Sequence, residues 1–255
     1  MPFSPVGASR ELRMPSPRIL QPEWMDRDDL DPALHRQALV GLARLNMVSG
    51  SAGILWSAMR GRLFADRPTT LLDVATGSGD VPRALARRAK RAGLQLSITA
   101  CDRSDVALDE ARRAARLDGF SSEGPVSFQC VRAEALDVHS PEGLPTGPFD
   151  IVTCSLFLHH LTDAEAVSLL AALALRTRNL LLVNDLDRGW WGHFVVRLGS
   201  FLLTRSPVVR FDGPASMGGA FTRAETRELA ARAGLEGATV GWRWPCRWLL
   251  EHHTA

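Results

Sequence analysis

Residues 71–80 read LLDVATGSGD. An apolar run with one acid in it, Asp73, leads straight into a turn that holds Gly77 and Gly79. Glycines placed there let a backbone adopt positive φ and approach a ligand closely. The run reads as a strand, and the segment that follows, DVPRALARRAKRAG, reads as a helix ending at Gly93. The same alternation continues outward. LSITACD, VSFQCVR, FDIVTCS and NLLLVNDL read as strands. SDVALDEARRAARLDG reads as a helix, and Thr162 with Glu165 forms a capping box ahead of another. Strand, helix, strand in this order implies parallel pairing through right-handed crossovers. Near-continuous apolar strands imply a sheet covered on both faces. The expected fold is α/β and doubly wound.

The flanks are less regular. Residues 1–22 are rich in Pro, Ser and Arg and read as a mobile arm. Residues 23–66 read as a helical cap: Asp31 can cap, Pro32 suits the first helical position, and Leu34, Ala38, Leu42 and Leu45 recur at helical spacing. Residues 67–255 form the main domain, with an apolar, aromatic insertion at about 187–220. A second capping box, Thr222 and Glu225, precedes a helix, and ATVGWRW with CRWLLE reads as a closing antiparallel hairpin. With it the sheet has seven strands, mostly parallel.

Composition bounds the function. Lys and Arg number 30 against 28 Asp and Glu, so the whole-chain charge gives no argument for a nucleic-acid partner. The basic run Arg87 to Arg91 reads as a solvated helix face. Cys101, Cys130, Cys154 and Cys246 form no CxxC pair, so no zinc or redox motif is read. Reduced thiols fit a cytoplasmic address. The N-terminus lacks a signal peptide's apolar stretch, and no apolar run reaches the roughly 18 residues of a membrane span.

The glycine turn suits a nucleotide cofactor, since ligands of open α/β sheets bind at the carboxyl ends of the strands. Two residues narrow it. The dinucleotide fingerprint wants a small third residue where Pro82 stands. Asp73, a buried acid beside the turn, would oppose a diphosphate and tolerate a cation. LLDVATGSGD is similar to the first motif of class I methyltransferases, especially the ubiquinone and menaquinone biosynthesis-like group, with Ala75 at the position of the broader family's first glycine. CDRSDVALDEAR resembles the second motif, RAEAL the adenine-bordering segment, and FDIVTCSLFLHHL the motif of the fourth strand. That group carries an acid where Arg132 stands here. The resemblance covers residues 69–186 and implies S-adenosyl-L-methionine as cofactor in a Rossmann-like methyltransferase fold. It implies that Asp73, Ala75, Gly77, Gly79, Asp102, Arg103, Ala133, Glu134, Ser155 and Leu156 border that cofactor. Asp102 stands where a carboxylate accepts both ribose hydroxyls.

An imidazole titrates near neutrality, so His159 and His160, just after the fourth strand, are candidates for the base that deprotonates an acceptor, His160 slightly preferred. His139 and His193 read as surface or lid residues. Trp190, Trp191 and Phe194 in the apolar insertion, with Asn184 at the strand edge, are expected to face a hydrophobic or aromatic acceptor. Arg197, Arg205 and Arg210 would suit an acidic acceptor or, in peripheral contact, anionic headgroups. A second resemblance, carried by MDRDDLDPALHRQALVGLARLN and VNDL, is to bacterial methyltransferases that tailor phenolic polyketide products, hence secondary metabolism. The expected reaction is O-methylation of a phenolic, quinone-like or polyketide-derived molecule. C-methylation of a similar acceptor uses the same cofactor site. An NAD-dependent oxidoreductase and a binding protein without turnover are the other classes weighed.

Overall fold

The computed structural model describes residues 17–27, 29–64, 66–137 and 143–254. His139 and most of the expected arm lie outside them. Two helices come first, α1 (Pro32–Val48) and α2 (Ser51–Met59). Asp31 caps α1 by accepting from the backbone N–H of Ala33 and Leu34, and Pro32 fills a position that needs no donor. Gly50, at φ 71°, turns the chain between them.

The main domain follows as β1 (Thr69–Val74), α3 (Asp80–Arg91), β2 (Leu96–Asp102), α4 (Asp105–Leu117), β3 (Val126–Arg132), β4 (Phe149–Ser155), α5 (Asp163–Leu175) and β5 (Thr177–Leu186). Two helices, α6 (Trp190–Leu203) and α7 (Pro207–Gly219), occupy the expected insertion. Then come α8 (Arg223–Arg232), β6 (Thr239–Arg243) and β7 (Arg247–His253). Both expected capping boxes are formed, at Thr162 and at Thr222.

The strands make one seven-stranded sheet in the order β3-β2-β1-β4-β5-β7-β6. β7 pairs antiparallel with β5 and with β6, and the other pairs are parallel. Each face is covered, as the apolar strands require. One layer joins Leu55 and Met59 of α2 and Leu85 of α3 to Leu71, Ile98, Ile151, Leu180 and Leu249. The other joins Leu169 and Leu173 of α5 and Leu229 of α8 to Leu72, Val152, Leu181, Trp248 and Leu250. Trp248 is fully buried, and its indole N–H donates to Phe221 O at 3.0 Å. Strand order reverses between β1 and β4, which opens a crevice at their carboxyl ends.

α1, α6 and α7 lie over that edge. Residues 17–22, expected as part of a mobile arm, are held in place. Arg18 Nε donates to Gly219 O at 2.6 Å, and its guanidinium lies 3.7 Å from the centre of the Phe221 ring. Among the described residues no single helix is long and apolar enough to cross a membrane; α1 and the α2 region, bent by 55°, pass that test only as a pair.

Candidate active site

A cavity of about 850 Å³ opens over the carboxyl ends of β1, β2, β4 and β5. Its floor at one end is the turn between β1 and α3. Ala75 and Gly77 take positive φ there, 55° and 54°, and Gly77, Ser78, Asp73 and Thr76 line the cavity. A methyl group added at Gly77 would meet only Leu39 Cδ2, at 3.8 Å, so its face toward the cavity is open.

Gly79 differs. It is absent from the lining, and a Cβ on it would lie 3.1 Å from Ala111 Cβ and 3.3 Å from Phe128 Cζ. The close approach that this glycine permits is to α4 and β3, at φ 67°, rather than to a ligand.

Three carboxylates surround the turn. Asp73 is buried and accepts from Thr76 Oγ1 at 2.7 Å and Thr153 Oγ1 at 2.6 Å. Burial, more than these bonds can offset, pushes its pKa up to about 7, with Asp80 and Asp102 adding repulsion. Burial also raises Asp80, against a hydrogen bond from Asn46. Asp102, at the end of β2, is raised by burial as well, although the backbone N–H of Gly77 and Ser104 donate to it at 2.8 and 2.9 Å. None of the three has a cation within ion-pair distance among the described residues.

Of the remaining residues expected beside the cofactor, Arg103, Ala133, Glu134, Ser155 and Leu156 all line the cavity. Arg103 Nη2 donates to Asp26 O at 2.9 Å. Arg132 pairs with Asp105. Ser155 Oγ is buried without a hydrogen-bond partner among the described residues, and Leu156 sits at φ 57°.

The histidines occupy the other end. His159 is buried; its Nδ1 lies 2.7 Å from Asp185 Oδ1, and its backbone N–H donates to Asp185 Oδ2 at 3.1 Å. Burial alone would raise Asp185, but His159 and two backbone N–H groups, those of Leu186 and His159, hold it below the usual carboxylate range. His159 Nε2 faces Glu23 Oε1 at 3.7 Å. Glu23 is itself buried, accepts from Ser216 Oγ at 2.5 Å, and is pushed by burial up to about 7. His160 Nδ1 lies 2.9 Å from Asp26 Oδ2, and the two imidazole centres are 4.2 Å apart, their planes tilted by 32°. Burial would raise Asp26 too, but His160 and Arg103 bring it low. Glu23, His159 and His160 each place one donor atom within 4.8 Å of the others, a spacing that could hold a metal ion.

Glu23 and Asp26 were not legible as site residues. They sit in EWMD, before α1, and reach the histidines only through the tertiary fold. Among the expected acceptor residues, Trp191 lines the cavity and donates to Pro245 O at 3.1 Å. Trp190 and Phe194 do not line it; they are 72% and 55% exposed on the outer side of α6. Val195, Val196, Gly199 and Leu203 supply the inner side. Asn184 is fully buried in β5 beneath the wall, with both amide atoms unpartnered among the described residues. Arg197, Arg205 and Arg210 are also outside the lining.

Residues 71–179 match the family model described as "Methyltransferase domain". The chain is 30% identical over 118 residues to the ubiquinone biosynthesis O-methyltransferase of Idiomarina loihiensis, 46% of this chain and 42% of that protein. It is 24% identical over 214 residues to the enzyme of the same name from Cupriavidus pinatubonensis, 84% of this chain and 72% of that one. This chain spans less than two thirds of the Idiomarina protein, 42%, and of the enzyme of the same name from Thiobacillus denitrificans, 64%. In fold it resembles an O-methyltransferase family 2 protein from Planctomyces limnophilus, solved in complex with apigenin. That match has a TM-score of 0.61 at 18% identity and covers 89% of this chain and 63% of the other. Motif, turn and topology agree with that match: residues 71–179 form a methyltransferase domain within a seven-stranded, doubly wound sheet.

Proposed function

We propose that this chain transfers the methyl group of S-adenosylmethionine to a hydroxyl oxygen of a hydrophobic, aromatic small molecule. The observation that carries the reading is that His159, backed by buried Asp185, lines the same cavity as the turn after β1. The wall fits the cofactor. Three acids with no cation at ion-pair distance among the described residues would disfavour a diphosphate and favour a ligand that carries positive charge. Asp73, Gly77, Asp102, Ala133, Glu134, Ser155 and Leu156 are the residues that would hold it. When bound, S-adenosylmethionine supplies an electrophilic methyl group that is displaced in line with the departing sulfur.

The chain's own groups handle the proton. Asp185 Oδ1 takes the Nδ1–H of His159, which fixes the tautomer and leaves Nε2 as the acceptor nitrogen. A hydroxyl proton passes to Nε2. The imidazolium so formed lies between Asp185 and Glu23, two carboxylates that stabilise it. This favours His159 over His160 as the base; His160, turned to Asp26, packs against the His159 ring. α1, α6 and α7 cover the reacting groups and exclude water.

The names of the curated relatives and of the apigenin-bound structure support an O-directed reaction on an aromatic acceptor. Four free cysteines fit a reducing, cytoplasmic setting.

Calorimetry with S-adenosylhomocysteine and with NADH tests the cofactor, and mass spectrometry of phenols and quinones incubated with labelled S-adenosylmethionine tests the acceptor. Binding of NADH alone, or label recovered only on carbon, would overturn this reading.

A further inference from the structure

The register of the sheet puts a row of polar side chains on one face. Asp73 is paired with Thr153, Ser155 with Asn184, and Leu186 with Arg247. Cross-strand partners share a face, and so do residues two apart along a strand. Asp73, Thr153, Ser155, Asn184 and Arg247 therefore stand side by side across β1, β4, β5 and β7, on the face that α2 and α3 cover.

The first two satisfy each other. The last three leave four buried atoms unpartnered among the described residues: Ser155 Oγ, Asn184 Oδ1 and Nδ2, and Arg247 Nη1. Native interiors rarely leave adjacent polar groups so.

Arg247 is the most unusual of them. It is 4% exposed and lines the cavity, yet among the described residues it has no carboxylate at ion-pair distance. Nη2 donates to Asn46 Oδ1 at 3.2 Å and to Ser49 Oγ at 2.7 Å, both neutral. Burial lowers its pKa, but a guanidinium stays charged in proteins. A buried cation held by neutral groups is costly unless an anion completes it. Its surroundings limit that anion's charge. Asp80 and Asp185 are near enough to act on Arg247 electrostatically, so a doubly charged phosphate would be repelled. A singly charged, planar carboxylate matches the fork.

We propose that the acceptor is a hydroxyaryl carboxylic acid whose carboxylate is bound by Arg247 while its hydroxyl faces His159. This rests on the methyl-transfer reading of the same cavity. Arg247 stands opposite Leu186, the residue after Asp185, so the anion-binding group and the base are set at one strand end. Leu186, Val195, Trp244 and Cys246 of the lining supply apolar surface for the ring between them. A carboxylate at Arg247 could also be the cofactor's own, and the experiment separates the two.

The protein is first saturated with S-adenosylhomocysteine; failure of that step defeats the methyl-transfer reading itself. A 3-alkyl-4-hydroxybenzoate and its primary amide are then titrated by calorimetry. The wild type is expected to bind the acid at least tenfold more tightly than the amide. Arg247→Gln should bring the two within about twofold and leave S-adenosylhomocysteine affinity within twofold of wild type. Arg247→Lys, which keeps the charge and loses the fork, should retain part of the preference, and thermal melting checks that both variants fold. An acid that binds no better than its amide, or a preference that survives in Arg247→Gln, overturns the proposal. So does a tenfold loss of S-adenosylhomocysteine affinity with an unchanged acid-to-amide ratio, which assigns Arg247 to the cofactor.

Discussion

The two edges of the sheet treat carboxylates in opposite ways. At the amino edge, Asp150 at the start of β4 is fully buried and fully answered. Arg67 binds it through two nitrogens at 2.8 and 2.9 Å, Arg178 adds one at 3.0 Å, and the Thr70 N–H and hydroxyl donate as well. Arg67 above all holds its carboxyl well below the usual range. At the carboxyl edge, Asp73, on the adjoining strand, has two hydroxyls and, among the described residues, no cation at ion-pair distance, and burial pushes it up to about 7. A fold that can neutralise a buried acid with two arginines leaves another without one. The difference marks where stability is made and where binding is done.

The largest effect should come from the base. His159→Ala is expected to lower kcat by about 10²–10⁴ with cofactor affinity unchanged, measured by single turnover and calorimetry. Asp185→Asn should lose nearly as much, because the imidazole keeps its place and loses its tautomer. A His159→Ala enzyme that turns over normally would make the carboxyl edge as structural as the amino one.

Next come the two aspartates, with opposite signs. Asp150→Asn should cost about 2–3 kcal/mol of stability, since it uncouples a buried anion from Arg67 and Arg178, and leave cofactor binding intact. Asp73→Asn should weaken binding of S-adenosylmethionine by about tenfold and leave stability equal or higher. The pH dependence follows from the direction of each shift. Asp73 is raised, so the folded state holds its proton longer than the unfolded chain does. Its contribution therefore falls as pH rises from about 4 to about 7. Asp150 is lowered, so its contribution is present above the ordinary carboxyl range and is lost as pH falls through it. Melting curves of Asp73→Asn should match wild type below about pH 4 and exceed it at pH 8. A gap that closes as pH rises would contradict this.

The smallest effect concerns α6. Trp190→Ala should change stability by less than about 0.5 kcal/mol and leave turnover alone, whereas Trp191→Ala should raise KM for an aromatic acceptor. Equal losses in both would mean that the outer side of α6 also meets the acceptor.

Much of this was legible in the sequence. The alternation of strands and helices fixed the doubly wound sheet, and the capping boxes marked α5 and α8, because these signals are local. LLDVATGSGD placed the turn. What escaped depends on distant partners. Glu23 meets Ser216 across 193 positions, and Arg247 meets Asn46 across 201. Gly79 carries the same signal as Gly77, but only packing reveals that Ala111 and Phe128 claim its space. Trp190 and Trp191 are adjacent at the start of a largely apolar helix, and only packing shows which of the two turns to the cavity. The sequence reading leans to His160; the pairing that favours His159 in the proposed mechanism depends on Asp185, which β5 brings beside it.

β7, second from the edge of the sheet, runs against both of its neighbours, and that reversal has an evolutionary consequence. A strand entering from the opposite direction delivers a hairpin turn, Trp244 to Cys246, to the rim where β1, β2, β4 and β5 lead toward helices. The hairpin lies beyond the 71–179 segment that the family model matches. A few changes there could retune which molecule is accepted while the machinery that donates the methyl group is inherited untouched.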